Sequence, residues 1–152
     1  MATGSTTWTD LLPRETSGPV ATMALGAEIA VLLQPGDLVA LYGDLGAGKT
    51  HLTKGLCTAL GVPEDHVSSP TFTLVNVYDG DAFPIYHIDA YRIKSVDEFF
   101  ELGYEEYFFG DGICLIEWPT RVEPLLPEHT LRLHLTHGGG DLRRIVRMEM
   151  AP

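Results

Sequence analysis

Gly43-Asp44-Leu45-Gly46-Ala47-Gly48-Lys49-Thr50 matches GxxxxGK[ST] at every specified position. From background residue frequencies, a chance match in a chain of 152 residues has odds of about one in a hundred. The chemistry open to such a run is phosphate binding. Glycines let the chain curl with its N–H groups facing inward, and the N-terminus of a following helix adds about half a positive charge. The Lys49 ammonium can then reach β- and γ-phosphates, and the Thr50 hydroxyl can ligate Mg²⁺. The competing reading is a glycine-rich turn before a helix that carries an exposed lysine.

A nucleotide site also needs an acid for the metal or the attacking water. Ile85-Tyr86-His87-Ile88-Asp89 ends in Asp89, and Ile113-Cys114-Leu115-Ile116-Glu117 ends in Glu117. Acids at strand ends sit at the edge of a parallel sheet, where ligands bind. His87 and Asp89 share one side of their strand, so a metal pair is conceivable. No third ligand stands at suitable spacing, which disfavours zinc. His51, His66, His129, His134 and His137 read as surface or strand-face residues. Cys57 and Cys114 are far apart, form no CxxC pair and read as plain core thiols.

These groups need elements to hold them. Leu38 to Tyr42 is a continuous apolar run, as in a strand buried on both faces. It leads into the glycine-rich turn, then a helix from Lys49 to about Leu60 that Gly61 and Pro63 stop. That order, strand then loop then helix, is the context a phosphate loop requires. Ahead of it, an extended piece is expected around Trp8 to Leu12, and a helix from Pro19 to about Gln34. After it, Phe72 to Tyr78 and Pro84 to Asp89 read as strands. Ser95 with Glu98 suggests a capping box and a helix to about Leu102. Gly103 to Gly110, aromatic and acidic, carries no firm assignment. Ile113 to Ile116 is a further apolar strand. Leu131 to Leu135 and Val146 to Met150 alternate around His137-Gly138-Gly139-Gly140-Asp141, as an antiparallel hairpin does. The mixture implies an α/β fold with a parallel core and antiparallel additions.

The bulk features bound the rest. The length suits one domain over residues 1–152, with a small polar stretch from Met1 to Thr7 expected to be disordered. Asp and Glu number 21 against 10 Lys and Arg, a formal net charge of −11. So acidic a chain is poorly suited to grip nucleic acid or an anionic membrane alone. Met1 to Thr9 lacks the apolar core of a signal peptide, and the early run Ile29 to Leu33 is far too short to cross a bilayer. The expectation is a cytoplasmic protein without membrane contact.

Four stretches together resemble the bacterial TsaE (YjeE) family of small P-loop ATPases. They are Gly43 to Thr50, Ser69-Pro70-Thr71-Phe72-Thr73-Leu74-Val75, His87-Ile88-Asp89-Ala90-Tyr91-Arg92 and Cys114-Leu115-Ile116-Glu117-Trp118-Pro119. Order and spacing agree from about Thr22 to Arg143. The first stretch is common to many nucleotidases; the Ser-Pro-Thr and Glu-Trp-Pro stretches make the likeness specific.

The resemblance implies a three-layer P-loop NTPase-like fold. It also implies a role in making the threonylcarbamoyladenosine modification of tRNA, beside TsaD-like and TsaB-like partners that would hold the tRNA. ATP and Mg²⁺ would be bound, and hydrolysis by the chain alone would be weak. Asp44, Gly46, Ala47, Gly48, Lys49 and Thr50 would cradle the phosphates. Thr50 and Glu117 would hold Mg²⁺, with Lys49, Asp89 and Glu117 as the catalytic groups. Thr71, within a switch-like segment from Ser69 to Thr73, would sense the γ-phosphate. Trp118 would pack beside the site, and residues near Thr22 would lie near the adenine.

Two positions depart from the family pattern: His51 replaces a common Thr or Ser, and Val77 replaces a common acid. Other classes are a small-molecule P-loop kinase, or a nucleotide-gated binding module that needs no hydrolysis. A GTPase fits less well, because the only Asn, Asn76, begins no guanine-recognition motif.

Overall fold

The computed structural model describes residues 7–43, 48–68, 70, 74–138 and 144–149. Seven strands form one sheet in the order β1-β7-β6-β2-β5-β4-β3. They are β1 (Arg14–Thr16), β2 (Leu38–Tyr42), β3 (Val75–Asp79), β4 (Pro84–Asp89), β5 (Ile113–Glu117), β6 (Leu131–His137) and β7 (Arg144–Glu149). The four central strands, β6, β2, β5 and β4, run parallel. β1, β7 and β3 are antiparallel additions, as the sequence pattern implies.

Alternation along the central strands divides the core in two. Val39, Leu41, Ile85, Ile113 and Leu115 pack on one face with α2 (Pro19–Val31) and α3 (Lys49–Ala59). Leu38, Ala40, Ile88, Cys114 and Ile116 pack on the other with Phe99 of α4 (Val96–Glu101) and Phe108 of α5 (Glu105–Phe108). The result is three layers with the sheet between. α2 and α3 touch through small residues. A methyl group on Gly26 would overlap the Leu52 carbonyl, and one on Gly55 would overlap the Met23 carbonyl. That close approach fixes α3 against its neighbour and so fixes the start of α3, where Lys49 sits.

Several expectations change. Trp8 to Leu12 is not extended: Trp8–Leu11 forms a one-turn helix, α1. Thr7 is its cap, not part of a frayed end. The Thr7 hydroxyl accepts from the Asp10 N–H, and the Asp10 carboxylate accepts from the Thr7 N–H, so two end groups are satisfied at once. β1 has no strong signal of its own and forms because β7 offers it an edge. The strand expected from Phe72 starts at Val75, because Leu74 has a left-handed φ of 68° and donates its N–H back to the Pro70 carbonyl. Phe72 and Thr73 lie outside the described residues. At Ser95 the hydroxyl caps the Glu98 N–H as expected, but the Glu98 carboxylate takes the Lys94 N–H and not that of Ser95.

Candidate functional site

α3 begins where the phosphate motif ends. Gly48 caps it with φ 99°, a left-handed conformation that favours glycine. Lys49 follows and is only 6% exposed. Its ammonium donates to the Gly43 carbonyl at 2.6 Å and lies 3.7 Å from the centroid of the Trp118 ring. A cation over an indole face gains electrostatic stabilisation that grows with desolvation. The charge is therefore held at the mouth of the loop instead of swinging into solvent. Thr50 stands exposed in the first turn of α3. Asp44, Gly46, Ala47 and Thr71 lie outside the described residues.

Trp118 reaches Lys49 through a strained backbone. It has φ 57°, left-handed and uncommon for a bulky residue, between the end of β5 and a 3-10 helix over Pro119–Leu125. Its ring meets Tyr91 at 4.9 Å, and the Arg121 guanidinium carbon lies 5.9 Å from the Tyr91 ring centroid. Trp118 is thus part of the site wall.

Strand register brings the two acids together. Asp89 of β4 is paired with Glu117 of β5, and Glu117 is paired with Leu41 of β2, two residues before Gly43. Both carboxylates lie at the C-terminal edge of the parallel strands, on the face that carries α3. Each is 5% exposed. Asp89 accepts the Tyr91 N–H on Oδ1 at 2.9 Å, a local turn that orients its carboxylate. The backbones are cross-tied: the Ala90 N–H donates to the Glu117 carbonyl, and the Asp89 N–H to the Leu74 carbonyl.

His87 is 2% exposed and joins these acids differently from the metal pair weighed with Asp89. Its Nε2 lies 2.6 Å from Glu117 Oε2, and its Nδ1 lies 3.0 Å from the Tyr78 hydroxyl. Both ring nitrogens are engaged, and among the described residues no group of three or more His, Cys, Asp or Glu could form a metal cage. Sequence reasoning did not find Tyr78 or this use of His87. The readable signal was parity: His87 stands two residues before Asp89, and Tyr78 two after Asn76, which is paired with His87. Burial pushes the Tyr78 phenol above its ordinary value, keeping it a proton donor.

Thr22 lies inside the fold, 1% exposed. Its hydroxyl lies 2.7 Å from that of Thr16 and donates to the Gly18 carbonyl at 3.0 Å. It ties β1 to the start of α2, and that hydroxyl is not turned outward toward a base. Cys57 and Cys114 are free and buried, as expected of core thiols; burial pushes Cys57 up to about 12 and raises Cys114 further.

The donor set suits a magnesium–nucleotide complex. Thr50, Asp89 and Glu117 offer oxygen, which hard cations prefer, and Mg²⁺ needs only one or two protein carboxylates when phosphates supply other ligands. Lys49 and the N-terminal turn of α3 supply positive potential on the same edge. None of the described helices is long and apolar enough to cross a membrane.

Comparison with known proteins agrees with this architecture. Residues 16–146 match the family model described as threonylcarbamoyl adenosine biosynthesis protein TsaE. A tRNA threonylcarbamoyladenosine biosynthesis protein TsaE from Bacillus subtilis is 43% identical over 130 residues, covering 86% of this chain and 80% of that protein. Its counterpart from Treponema pallidum is 46% identical over 110 residues, covering 72% of this chain and 80% of that protein. The crystal structure of Bacillus subtilis YdiB superposes with a TM-score of 0.74 at 35% identity, covering 93% of this chain and 86% of that one. The fold is P-loop NTPase-like, and the chain belongs to the TsaE family.

Proposed function

We propose that the chain is a Mg²⁺-dependent ATP-binding protein and weak ATPase that supports the making of the threonylcarbamoyladenosine modification of tRNA. The family membership supports the pathway. One observation carries the nucleotide chemistry: the Lys49 ammonium, held at Gly43 and over Trp118, shares a sheet edge with the paired carboxylates of Asp89 and Glu117. Lys49 would bind β- and γ-phosphate oxygens, leaving the Gly43 carbonyl. Thr50 and Glu117 would hold Mg²⁺, which would supply positive charge against that developing on the phosphate oxygens. Asp89, oriented by the Tyr91 N–H, would hold a proton acceptor toward the water. Trp118 would cover Lys49 and limit water around it.

TsaD-like and TsaB-like proteins are the proposed partners. With a net charge of −11, the chain would meet tRNA only through them. Hydrolysis by the chain alone should be slow, of order 10⁻⁴ to 10⁻² s⁻¹, the range of P-loop GTPases acting without a partner. A turnover above about 1 s⁻¹ for the isolated chain would overturn that part. The deciding experiment is a multiple-turnover modification assay with the partner proteins, comparing the intact chain with Lys49→Ala and Glu117→Ala. Both variants should fail to sustain turnover; full activity from both refutes the ATP-coupled reading. Transfer of the γ-phosphoryl group to a small acceptor would instead identify a kinase.

A further inference from the structure

Glu117 is connected to the protein surface by an unbroken set of hydrogen bonds. Ser68, exposed at the edge of the sheet, donates its N–H to the Tyr78 hydroxyl oxygen at 3.2 Å. Asn76 Nδ2 donates to the Ser68 carbonyl at 3.2 Å and to the Tyr78 oxygen at 3.3 Å. The Tyr78 hydroxyl carries one proton and has two acceptors in range, the Ser68 carbonyl at 2.8 Å and His87 Nδ1 at 3.0 Å. Beyond His87, Nε2 meets Glu117 at 2.6 Å.

The Tyr78 proton can serve only one of these two acceptors, so the bonds on its two sides are linked. Toward a carboxylate, Nε2 carries the ring proton and donates. With Nδ1 accepting, Tyr78 donates to it. The Tyr78 lone pairs take the Ser68 N–H and the Asn76 amide, and the Ser68 carbonyl keeps its bond from Asn76. All donors along the chain point the same way, from the Ser68 N–H to Glu117, and such aligned bonds polarise one another. In the alternative, the Tyr78 proton goes to the Ser68 carbonyl at 2.8 Å, and Nδ1 must then donate to the Tyr78 oxygen. Tyr78 and His87 are 6% and 2% exposed, so water cannot readily replace that bond. One end of the chain is therefore sensitive to the other.

We propose that Tyr78 and His87 are positioning residues. They couple the orientation of the Glu117 carboxylate to the backbone of Ser68, in the open groove lined by Val62, Pro63, His66, Ser68, Asn76 and Tyr78. This rests on the reading of Glu117 as a Mg²⁺ ligand. Coupling of this kind is reciprocal. Metal and nucleotide at Glu117 bias the hydrogen bonds of Ser68, and anything seated in the groove biases Glu117. Outer partners of metal-binding side chains typically contribute about 10- to 100-fold to metal affinity.

Calorimetry on the full chain tests this, with a non-hydrolysable ATP analogue titrated with and without Mg²⁺. Tyr78→Phe removes only the hydroxyl. His87→Gln keeps an N–H donor for Glu117 but loses the Nδ1 position. Each should weaken Mg²⁺-dependent binding by about tenfold and leave Mg²⁺-free binding within about twofold. Tyr78→Phe combined with Glu117→Gln should be no weaker than Glu117→Gln alone, because the two act through one carboxylate. Additive losses, or native Mg²⁺ dependence in both single variants, overturn the proposal. A merely structural role would lower the melting temperature without changing the Mg²⁺ dependence, and that outcome also counts against it. If the variants do not fold, amide exchange at Ser68 in the native chain decides. Exchange should change when Mg²⁺ is added to the analogue complex, and an unchanged rate refutes the coupling. Failure of the underlying reading looks different: Glu117→Gln alone would then leave Mg²⁺-dependent binding intact.

Discussion

Two clusters built from tyrosine, histidine and glutamate flank the start of the phosphate motif, and they use those side chains in opposite ways. Tyr78, His87 and Glu117 sit on β3, β4 and β5, all nearly inaccessible, and both ring nitrogens of His87 are spent on hydrogen bonds to the other two. Tyr42, His134 and Glu123 sit on β2, β6 and the 3-10 helix. There His134 stacks its face on Tyr42 at 4.5 Å with rings 12° from parallel. The Tyr42 hydroxyl donates to the Glu123 carboxylate at 2.8 Å, and Arg132 pairs with the same carboxylate at 3.4 Å. The Arg132 and Glu123 side chains are 21% and 45% exposed, so water shares the burden. A buried cluster must close its hydrogen bonds internally because nothing else will, whereas a half-exposed one can lean on stacking and a cation.

The largest expected contrast is in activity. Glu117→Gln should lower Mg²⁺-dependent ATPase turnover by about 10²- to 10³-fold, the scale of losing one group that stabilises developing charge. Glu123→Gln, equally conservative, should stay within about twofold. Steady-state kinetics on both variants breaks the comparison if the two losses are similar. Next comes stability. His87→Ala removes the imidazole that meets the Glu117 carboxylate at 2.6 Å and should cost about 3 kcal/mol, because it strands a buried charge. His134→Ala loses one face-to-face contact and should cost about 1 kcal/mol. Urea unfolding of the two variants measures this, and equal costs would show that burial is not what separates the clusters.

How much of this was legible beforehand follows the same division. Lys49 was readable from the GxxxxGK[ST] spacing, and Asp89 and Glu117 because buried parallel strands appear as largely apolar runs, at whose end a charge is conspicuous. Pro84 to Asp89 was bounded correctly for that reason. The Ser95 cap was readable because it is local chemistry. α1, β1 and the 3-10 helix after Trp118 were not, since each is too short for a periodic signal and is held by partners distant in sequence. The left-handed φ of Leu74 and Trp118 hides for the same reason: neither residue type advertises it. The Tyr78–His87–Glu117 chain needs two strand registers at once, Asn76 with His87 and Asp89 with Glu117, and a single sequence states neither. Thr22 shows the converse. Its place at the start of α2 was readable, but its hydroxyl is spent on Gly18 and Thr16, which only packing reveals.

A smaller effect tests the exposed cluster directly. The Arg132–Glu123 pair should contribute less than about 1 kcal/mol in a double-mutant cycle, and 1 M salt should remove most of it. A coupling that survives high salt would mean the pair is screened from water and belongs with the buried cluster.

The finest distinction is in alkali. Burial first, then the hydrogen bond to Glu123, raises the Tyr42 phenol above its ordinary value of 10.0, and the opposing pull of Arg132 is weaker. A group whose value is raised by folding stabilises the fold fully below its unfolded value. That contribution is lost as pH climbs from about 10 toward the folded value, because the unfolded chain releases the proton first. Tyr42→Phe removes this proton, so its melting temperature should fall less steeply between pH 9 and pH 11 than that of the native chain. Tyr78, Tyr86 and both thiols are also raised, yet they are present in both proteins, so the difference between the two curves isolates Tyr42. Parallel curves would mean that water reaches the Tyr42 hydroxyl freely. The two clusters would then differ not in degree of burial but in whether the second is enclosed at all.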